Sequence, residues 1–133
     1  MILDTSVLVA ILNDESEKDA ALNLLQNADN LKISAGTLME TTLIVQARYG
    51  LKGQAELTTI LESAGVECVA SSREHVRIME RALEKYGKGR NNKAQLNYGD
   101  CFAYALAKET SETLLFKGDD FLHTDLKLMR LDG

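Results

Sequence analysis

The first twelve residues, MILDTSVLVAIL (1–12), place a short apolar strand, an acid and a helix in direct succession. Ile2 and Leu3 are suited to a buried strand, and Asp4 follows them directly. The next two residues carry hydroxyls that are typical of a helix start. Apolar residues then recur at helical spacing at positions 7, 8, 11 and 12. This order of strand, acid and helix is typical of a sheet whose strands are joined by helices.

The rest of the chain continues the alternation of strands and helices. Strands are expected at 31–34, 66–69 and 113–116, and helices near 16–26, 35–49, 53–63, 73–86 and 100–109. Gly50 and Gly65 are expected to end the two helices of a hairpin. A turn and a short helix are expected after Gly118. Because no tight Asn-Gly turn joins two strands, the sequence predicts a mostly parallel sheet covered by helices on both faces.

Composition points to one globular domain spanning residues 1–133. Hydrophobic residues make up 45% and charged residues 26% of the chain, which argues against a disordered or repetitive protein. No apolar run approaches the ~20 residues of a membrane span, and no basic segment precedes the first apolar stretch. The two cysteines have no metal-type spacing and do not indicate a disulfide framework. We therefore expect a cytoplasmic protein without a membrane association.

The charge of the chain is distributed unevenly. The net charge of −5 disfavours a protein that grips nucleic acid through bulk positive charge. Residues 71–95, however, contain seven basic and three acidic side chains, a local charge of +4 against −9 for the remainder. The pattern indicates either one basic surface separate from an acidic cluster or a solvated, highly charged helix face.

Several acids follow predicted strands, where parallel sheets place their binding crevice. Asp4 follows the first strand, and Asp119 and Asp120 follow the fourth. Glu40 lies six residues after the second strand, and Asp100 begins a helix that returns to the sheet. We expect these carboxylates to converge at one edge.

Each acid also has a local structural interpretation. Asp4 is suited to capping the first helix, and Asp100 to complementing a helix dipole. Glu40 is harder to explain in this way, because the residues around it, including Met39 and Leu43, look buried and a buried carboxylate needs a partner or a metal.

Taken together, the acids favour a cation site. Carboxylates gathered in one crevice repel one another unless they are protonated or neutralised by a cation. Oxygen ligands without histidine or cysteine select Mg²⁺ or Mn²⁺ rather than zinc. His75 and His123 are isolated in the sequence and are interpreted as surface or structural residues.

Five segments together carry a resemblance to a known family. They are ILDTS (2–6), SA (34–35) followed by Glu40, GKGR (87–90), LNYGDC (96–101) with YALAK (104–108), and LFKGDDF (115–121). With these segments the chain resembles, end to end, the PIN-domain ribonucleases and specifically the VapC-type toxins of toxin–antitoxin pairs. The resemblance implies a three-layer α/β/α PIN-like fold with a mostly parallel sheet of four to five short strands.

The resemblance also implies an acidic metal site and a reaction. Asp4, Glu40 and Asp100 fall on the family's acidic positions, and the fourth acid falls on Asp119 or Asp120, of which Asp120 is favoured. These residues are expected to bind Mg²⁺ or Mn²⁺, as one ion or two, for hydrolysis of RNA phosphodiester bonds. A metal lowers the pKa of water and neutralises phosphate charge, while a carboxylate, here most plausibly Glu40, orients or deprotonates the attacking water.

Substrate and partners follow from the same resemblance. We expect Lys88, Arg90 and Lys93 to contact the RNA backbone outside the acidic pocket. In the loop before Asn97, many relatives have a His-Pro pair where this chain reads NNKAQ (91–95). A homodimer and a cognate VapB-type antitoxin are also implied, with apolar residues of the 35–49 and 53–63 helices as candidates for these interfaces.

Two alternatives to an active nuclease were weighed. A small-molecule phosphotransferase is disfavoured because Asp4-Thr5-Ser6 lacks the second acid that haloacid-dehalogenase-like phosphatases use. A catalytically silent PIN-like module that binds RNA or a protein partner would be marked by loss of an acid, and all four positions are filled here.

Overall fold

The computed structural model describes residues 1–87, 89 and 92–133, and within them five strands form one parallel sheet. The strands lie in the order β3-β2-β1-β4-β5. Their bounds are β1 Ile2–Leu3, β2 Lys32–Ser34, β3 Glu67–Val69, β4 Leu114–Phe116 and β5 Leu128–Arg130. The helices are α1 Thr5–Leu12, α2 Lys18–Asn27, α3 Ala35–Ser63, α4 Arg73–Tyr86 and α5 Tyr98–Thr110.

Alternate strand residues face opposite layers of helices, as the pleat of a β-strand requires. Ile2, Leu114 and Phe116 are buried in a core with residues of α4 and α5. Leu3 and Leu115 are buried in a second core with residues of α1, α2 and α3. The sheet is therefore apolar on both faces, and the expected three-layer α/β/α architecture is confirmed.

The strand order places a topological switch point between β1 and β4. The chain first builds outward from β1 to β2 and β3, and then returns to place β4 and β5 on the other side of β1. In parallel sheets a binding crevice forms outside the carboxyl ends of the strands at such a point. Asp4 at the end of β1 and the segment that follows β4 therefore face the same crevice.

The long helix α3 is kinked at Gly50. This residue has φ 63° and ψ −151°, a backbone conformation that is essentially restricted to glycine. The predicted break at Gly50 is therefore confirmed, although the second helix resumes directly after it.

The carboxyl-terminal segment differs from the sequence prediction. Turns, not a short helix, follow Gly118, whose φ is 103°, and β5 then pairs with β4. Asp125 anchors this segment because Tyr104 Oη and Lys108 Nζ donate to its carboxylate at 2.6 and 2.7 Å. These contacts with α5 favour the irregular path over a local helix. None of the helices in the described ranges combines the length and apolar character that a membrane span needs.

Candidate active site

Asp4 lies at the end of β1 and caps α1. Its Oδ2 accepts hydrogen bonds from Ser6 N at 3.1 Å and Ser6 Oγ at 2.6 Å, and the residue is only 8% exposed. The expected capping role is thus present. Both bonds fall on Oδ2, so capping uses only one of the two carboxylate oxygens of Asp4.

Ser6 connects Asp4 to the neighbouring strand. Its Oγ accepts a hydrogen bond from Lys117 N at 2.9 Å while it donates to Asp4. Lys117 directly follows β4, so the hydroxyl joins the two strand ends on either side of the switch point. The orientation of the Asp4 carboxylate is therefore coupled to the path of the chain after β4.

Asp100 occupies the first turn of α5 within a reciprocal capping box. Asn97 N donates to Asp100 Oδ2 at 3.0 Å, and Asp100 N donates to Asn97 Oδ1 at 2.9 Å. The aspartate is 6% exposed. The start of α5 and the position of this carboxylate are consequently fixed by the same pair of bonds.

Glu40 is held by contacts from two other elements. Thr5 Oγ1 donates to Glu40 Oε1 at 2.8 Å, and Thr41 Oγ1 lies 3.0 Å from the Thr5 hydroxyl. The other oxygen, Oε2, lies over Gly99, where a Cβ atom would stand 1.9 Å from it. Glycine at this position therefore provides the space that lets Glu40 approach the start of α5.

The surroundings of Glu40 differ from the sequence prediction. Met39 and Leu43 are 68% and 73% exposed, so the expectation that they are buried is wrong. Thr41 and Val45 are the buried residues of this stretch. Side chains point in all directions around a helix, so a run of apolar residues cannot all face the core. In this part of α3, Met39 and Leu43 point to the surface.

The two candidates for the fourth acid have different environments. Asp119 is exposed, and its Oδ1 accepts from an Arg130 guanidinium nitrogen at 2.8 Å. Asp120 is also exposed, but its charge acts on the cluster by raising the pKa values of both Asp4 and Asp100. This electrostatic effect on Asp4 and Asp100 favours Asp120 over Asp119 as the fourth acid.

The pKa values show that the carboxylates share one electrostatic environment. Burial and, to a smaller extent, the charges of Asp120, Asp4 and Glu40 together raise the pKa of Asp100 to about 7, against the opposing effect of the hydrogen bond from Asn97 N. Burial also raises the pKa of Asp4, opposed by its bonds from Ser6, with Glu40 and Asp120 adding to the rise. Bringing these groups together as anions is therefore costly without a compensating cation.

This set of donors fits a hard divalent cation. Carboxylate oxygens are its preferred ligands, and positive charge would relieve the repulsion within the cluster. Among the residues that the structure describes, no three or more Asp, Glu, His or Cys side chains are grouped so that they could hold a metal ion. The fit therefore rests on ligand chemistry and mutual repulsion.

The predicted RNA-contacting residues and the two histidines differ in their exposure. Lys93 is exposed, whereas Lys88, Arg90 and Asn91 lie outside the described residues. His123 is exposed, and His75 is buried with Nε2 2.9 Å from Glu109 Oε1, in line with the structural interpretation.

The sequence did not predict that Thr5 and Gly99 both contact Glu40. Each directly adjoins one of the predicted acids, which was the available signal in the sequence. Neither contact could be derived from spacing, because both depend on how α3 lies across the starts of α1 and α5.

Comparisons with known proteins agree with this fold. A family model described as the PIN domain matches residues 1–127. The VapC ribonuclease Mb0640 of Mycobacterium bovis is 42% identical over 132 residues, covering 98% of this chain and 99% of its own. Ribonuclease VapC of Mycolicibacterium smegmatis is 40% identical over 126 residues, covering 95% and 97%.

Solved structures share the fold at lower sequence identity. VapC20 of Mycobacterium tuberculosis, a sarcin-ricin loop cleaving toxin, gives a TM-score of 0.73 at 17% identity, covering 94% of this chain and 95% of its own. VapBC2 of Rickettsia felis, bound to a promoter DNA fragment, gives 0.74 at 21% identity, covering 97% and 96%. The fold is that of a PIN domain. The chain belongs to the PIN-domain family and, within it, to the VapC ribonucleases.

Proposed function

We propose that residues 1–133 form a single PIN domain that acts as a metal-dependent endoribonuclease, the toxin of a VapBC-type pair. The observation that carries the proposal is the set of coupled carboxylates, Asp4, Glu40, Asp100 and Asp120, at the switch point of the sheet. The identity of about 40% with curated ribonucleases over nearly the full chain supports the nuclease assignment.

Within this proposal, Asp4 and Asp100 would hold Mg²⁺ or Mn²⁺ directly, and Glu40 and Asp120 would bind it through water or hold a second ion. When bound, the ion supplies positive charge at the phosphate and increases the acidity of water. Asp4 and Asp100 are suited to ligation because both are buried and held by hydrogen bonds from the backbone.

Glu40 is proposed to orient the attacking water and accept its proton. Its Oε1 is held by the Thr5 hydroxyl, and Gly99 leaves room beside Oε2. The hydrogen bond from Thr5 supports a positioned base, because proton transfer requires a fixed donor–acceptor geometry. Water is the nucleophile in this scheme, so no covalent enzyme intermediate is needed.

Partners are proposed from the exposed apolar surface beside the acids. A cleft of about 750 Å³ is lined by Met39, Leu43, Tyr98 and Phe102, with Glu40 at its side. We propose that this face contributes to a homodimer and to binding of a VapB-type antitoxin. One of the similar solved structures is described as a toxin–antitoxin complex from Klebsiella pneumoniae, with 17% identity and a TM-score of 0.68. A cytoplasmic location is proposed from the sequence alone.

The proposal is tested with purified protein and total cellular RNA. We expect discrete fragments with Mg²⁺ or Mn²⁺, none with EDTA, and none with the Asp100→Asn variant, whose amide still accepts the capping bond from Asn97 N. Mapping the fragment ends would identify the target sequence. RNA that is bound but remains intact with either metal would favour the silent binding module instead.

A further inference from the structure

A second cleft, between α4, α5 and the segment after β4, concentrates positive charge away from the acids. It encloses about 180 Å³ and is lined by Arg81, Lys85 and Lys108, with Asp125 as the acidic side chain in its lining. In a chain with a net charge of −5, three cations against one carboxylate form a local excess that bulk composition does not predict.

Two tyrosine rings and the Asp125 carboxylate line this cleft and contact one another. The rings of Tyr86 and Tyr104 are buried, with centroids 6.1 Å apart. Tyr104 Oη donates to Asp125 Oδ1 at 2.6 Å, and Lys108 Nζ donates to Asp125 Oδ2 at 2.7 Å. Asp125 thereby holds Lys108 at the edge of the cleft, so part of the entropy cost of fixing a lysine side chain is already met in the free protein.

The other two cations are available to a ligand. Arg81 has its ion-pair partner, Glu74, at 3.8 Å, and both side chains are well exposed. An exposed pair at this distance contributes little and is readily exchanged. Within the described part of the chain, Lys85 makes no ion pair. An anionic ligand could therefore bind Arg81 and Lys85 without breaking a strong ion pair of either side chain.

The cleft lies on elements that also carry the candidate active site. Lys108 is on α5, which carries Asp100 in its first turn, and Asp125 lies in the segment that carries Asp120. An acidic site repels a polyanion, so an enzyme acting on RNA benefits from a cationic contact outside that site.

We propose that the Arg81–Lys85–Lys108 cleft binds a backbone phosphate of the RNA other than the one that is cleaved. This inference rests on the proposed nuclease function and extends it by assigning a second contact to the substrate. The cleft is large enough for a phosphate group, and its donors are the Arg and Lys side chains that contact phosphates without reading base sequence.

The test compares two charge-neutralised variants for binding of a fluorescent single-stranded RNA in EDTA, followed by anisotropy over a salt series. Arg81→Gln with Lys85→Gln removes two cations from the cleft. Arg48→Gln with Lys52→Gln removes two cations from α3, which packs on the opposite face of the sheet. We expect the cleft variant to bind about tenfold more weakly, with a salt slope smaller by roughly one to two, and the α3 variant to match the unmutated protein.

A third variant is expected to strengthen RNA binding. Glu74→Gln removes the carboxylate that pairs with Arg81, and should tighten RNA binding by about two- to threefold. An equal loss in the cleft and α3 variants, or no binding of RNA by the unmutated protein, would overturn the proposal. If inorganic phosphate competes as well as RNA at the same phosphate concentration, the cleft is a site for free phosphate. If an acidic peptide competes and inorganic phosphate does not, the cleft binds a protein partner. Either result would also overturn the proposal.

The proposed nuclease function can fail independently of the cleft. If the unmutated protein cleaves RNA and the cleft variant binds and cleaves it equally well, only the cleft assignment is wrong. If no metal supports cleavage but the cleft variant loses RNA binding, the contact stands and the nuclease assignment fails.

Discussion

At the scale of single residues, the buried acids combine a structural and a chemical role. Asp100 closes the capping box of α5 with Asn97, yet burial and three neighbouring carboxylates raise its pKa to about 7. A neutral amide side chain at this position would be sufficient for helix capping alone. The charge of Asp100 is therefore a cost to the fold that a structural role does not explain, and residues at functional sites commonly carry such costs.

This cost predicts a pH dependence of stability in the metal-free protein. The pKa of Asp100 is raised from 3.8 to about 7, so between these values the folded state holds a proton that the unfolded state has released. The free energy of unfolding should therefore fall as pH rises through this window. Asp100→Asn removes this contribution and should be more stable than the unmutated protein at about pH 8, by on the order of 1 kcal/mol.

Denaturant unfolding in EDTA at several pH values measures this difference. Glu62→Gln serves as the control, because Glu62 is exposed near the end of α3 and lies outside the acidic cluster. If Asp100→Asn is less stable than the unmutated protein at high pH, the charge of Asp100 is well compensated without metal.

Thr5 is predicted to position Glu40 through its hydroxyl. Thr5→Val removes the 2.8 Å hydrogen bond while keeping the shape of the side chain, and should lower the rate of RNA cleavage by roughly 10- to 100-fold. Thr5→Ser keeps the hydroxyl and should retain most of the rate. Thr58→Val, which alters an exposed threonine in the second half of α3, is the matched control. Equal rates in all three variants would show that Glu40 needs no such support.

At the scale of elements, the short strands and capped helices were predictable, but the path after β4 was not. Apolar strands and capping residues are local signals, and they located β1 to β4 and the start of α4 well. β5 is a three-residue strand of mixed exposure, and the turns before it depend on Asp125 contacting Tyr104 and Lys108. Such long-range contacts leave no periodic pattern in the sequence.

The same limit applies to the candidate site. The positions of Asp4, Asp100 and Glu40 near strand ends followed from local order, whereas the restraint of Glu40 by Thr5 and Gly99 depends on helix packing. Burial of Met39 and Leu43 was predicted wrongly because apolar residues on a helix serve either a core or an exposed face, and the sequence does not separate the two uses.

The kink of α3 predicts a strict requirement for glycine at position 50. No atom would contact a Cβ at this position, so the cost of Gly50→Ala comes from its backbone conformation and not from crowding. We expect a loss of about 1 to 3 kcal/mol in the free energy of unfolding. Thermal and denaturant unfolding check this value, with Gln46→Ala, on the same helix before the kink, as a control. An unchanged stability would indicate that α3 straightens in solution.

At the scale of the whole molecule, an acidic crevice adjoins an exposed apolar cleft. Tyr98 is 82% exposed beside Met39 and Leu43, a grouping typical of an interaction surface. If this face forms the proposed homodimer, Leu43→Lys should convert the protein to a monomer in light scattering coupled to size exclusion. Leu51→Lys, which alters an equally exposed leucine just beyond the kink, should not. A monomeric unmutated protein would contradict the proposed dimer.

We propose that Asp4, Glu40, Asp100 and Asp120 form the site at which RNA is cleaved, and comparing Asp119 with Asp120 tests this site most sharply. Asp120 acts electrostatically on Asp4 and Asp100, whereas Asp119 is paired with Arg130. The measurement is the rate at which Asp120→Asn and Asp119→Asn cleave one end-labelled RNA in Mg²⁺ or Mn²⁺. We predict a loss of at least about 100-fold for Asp120→Asn and a nearly unchanged rate for Asp119→Asn. The opposite order, or equal rates in both variants, would contradict the assignment of the site.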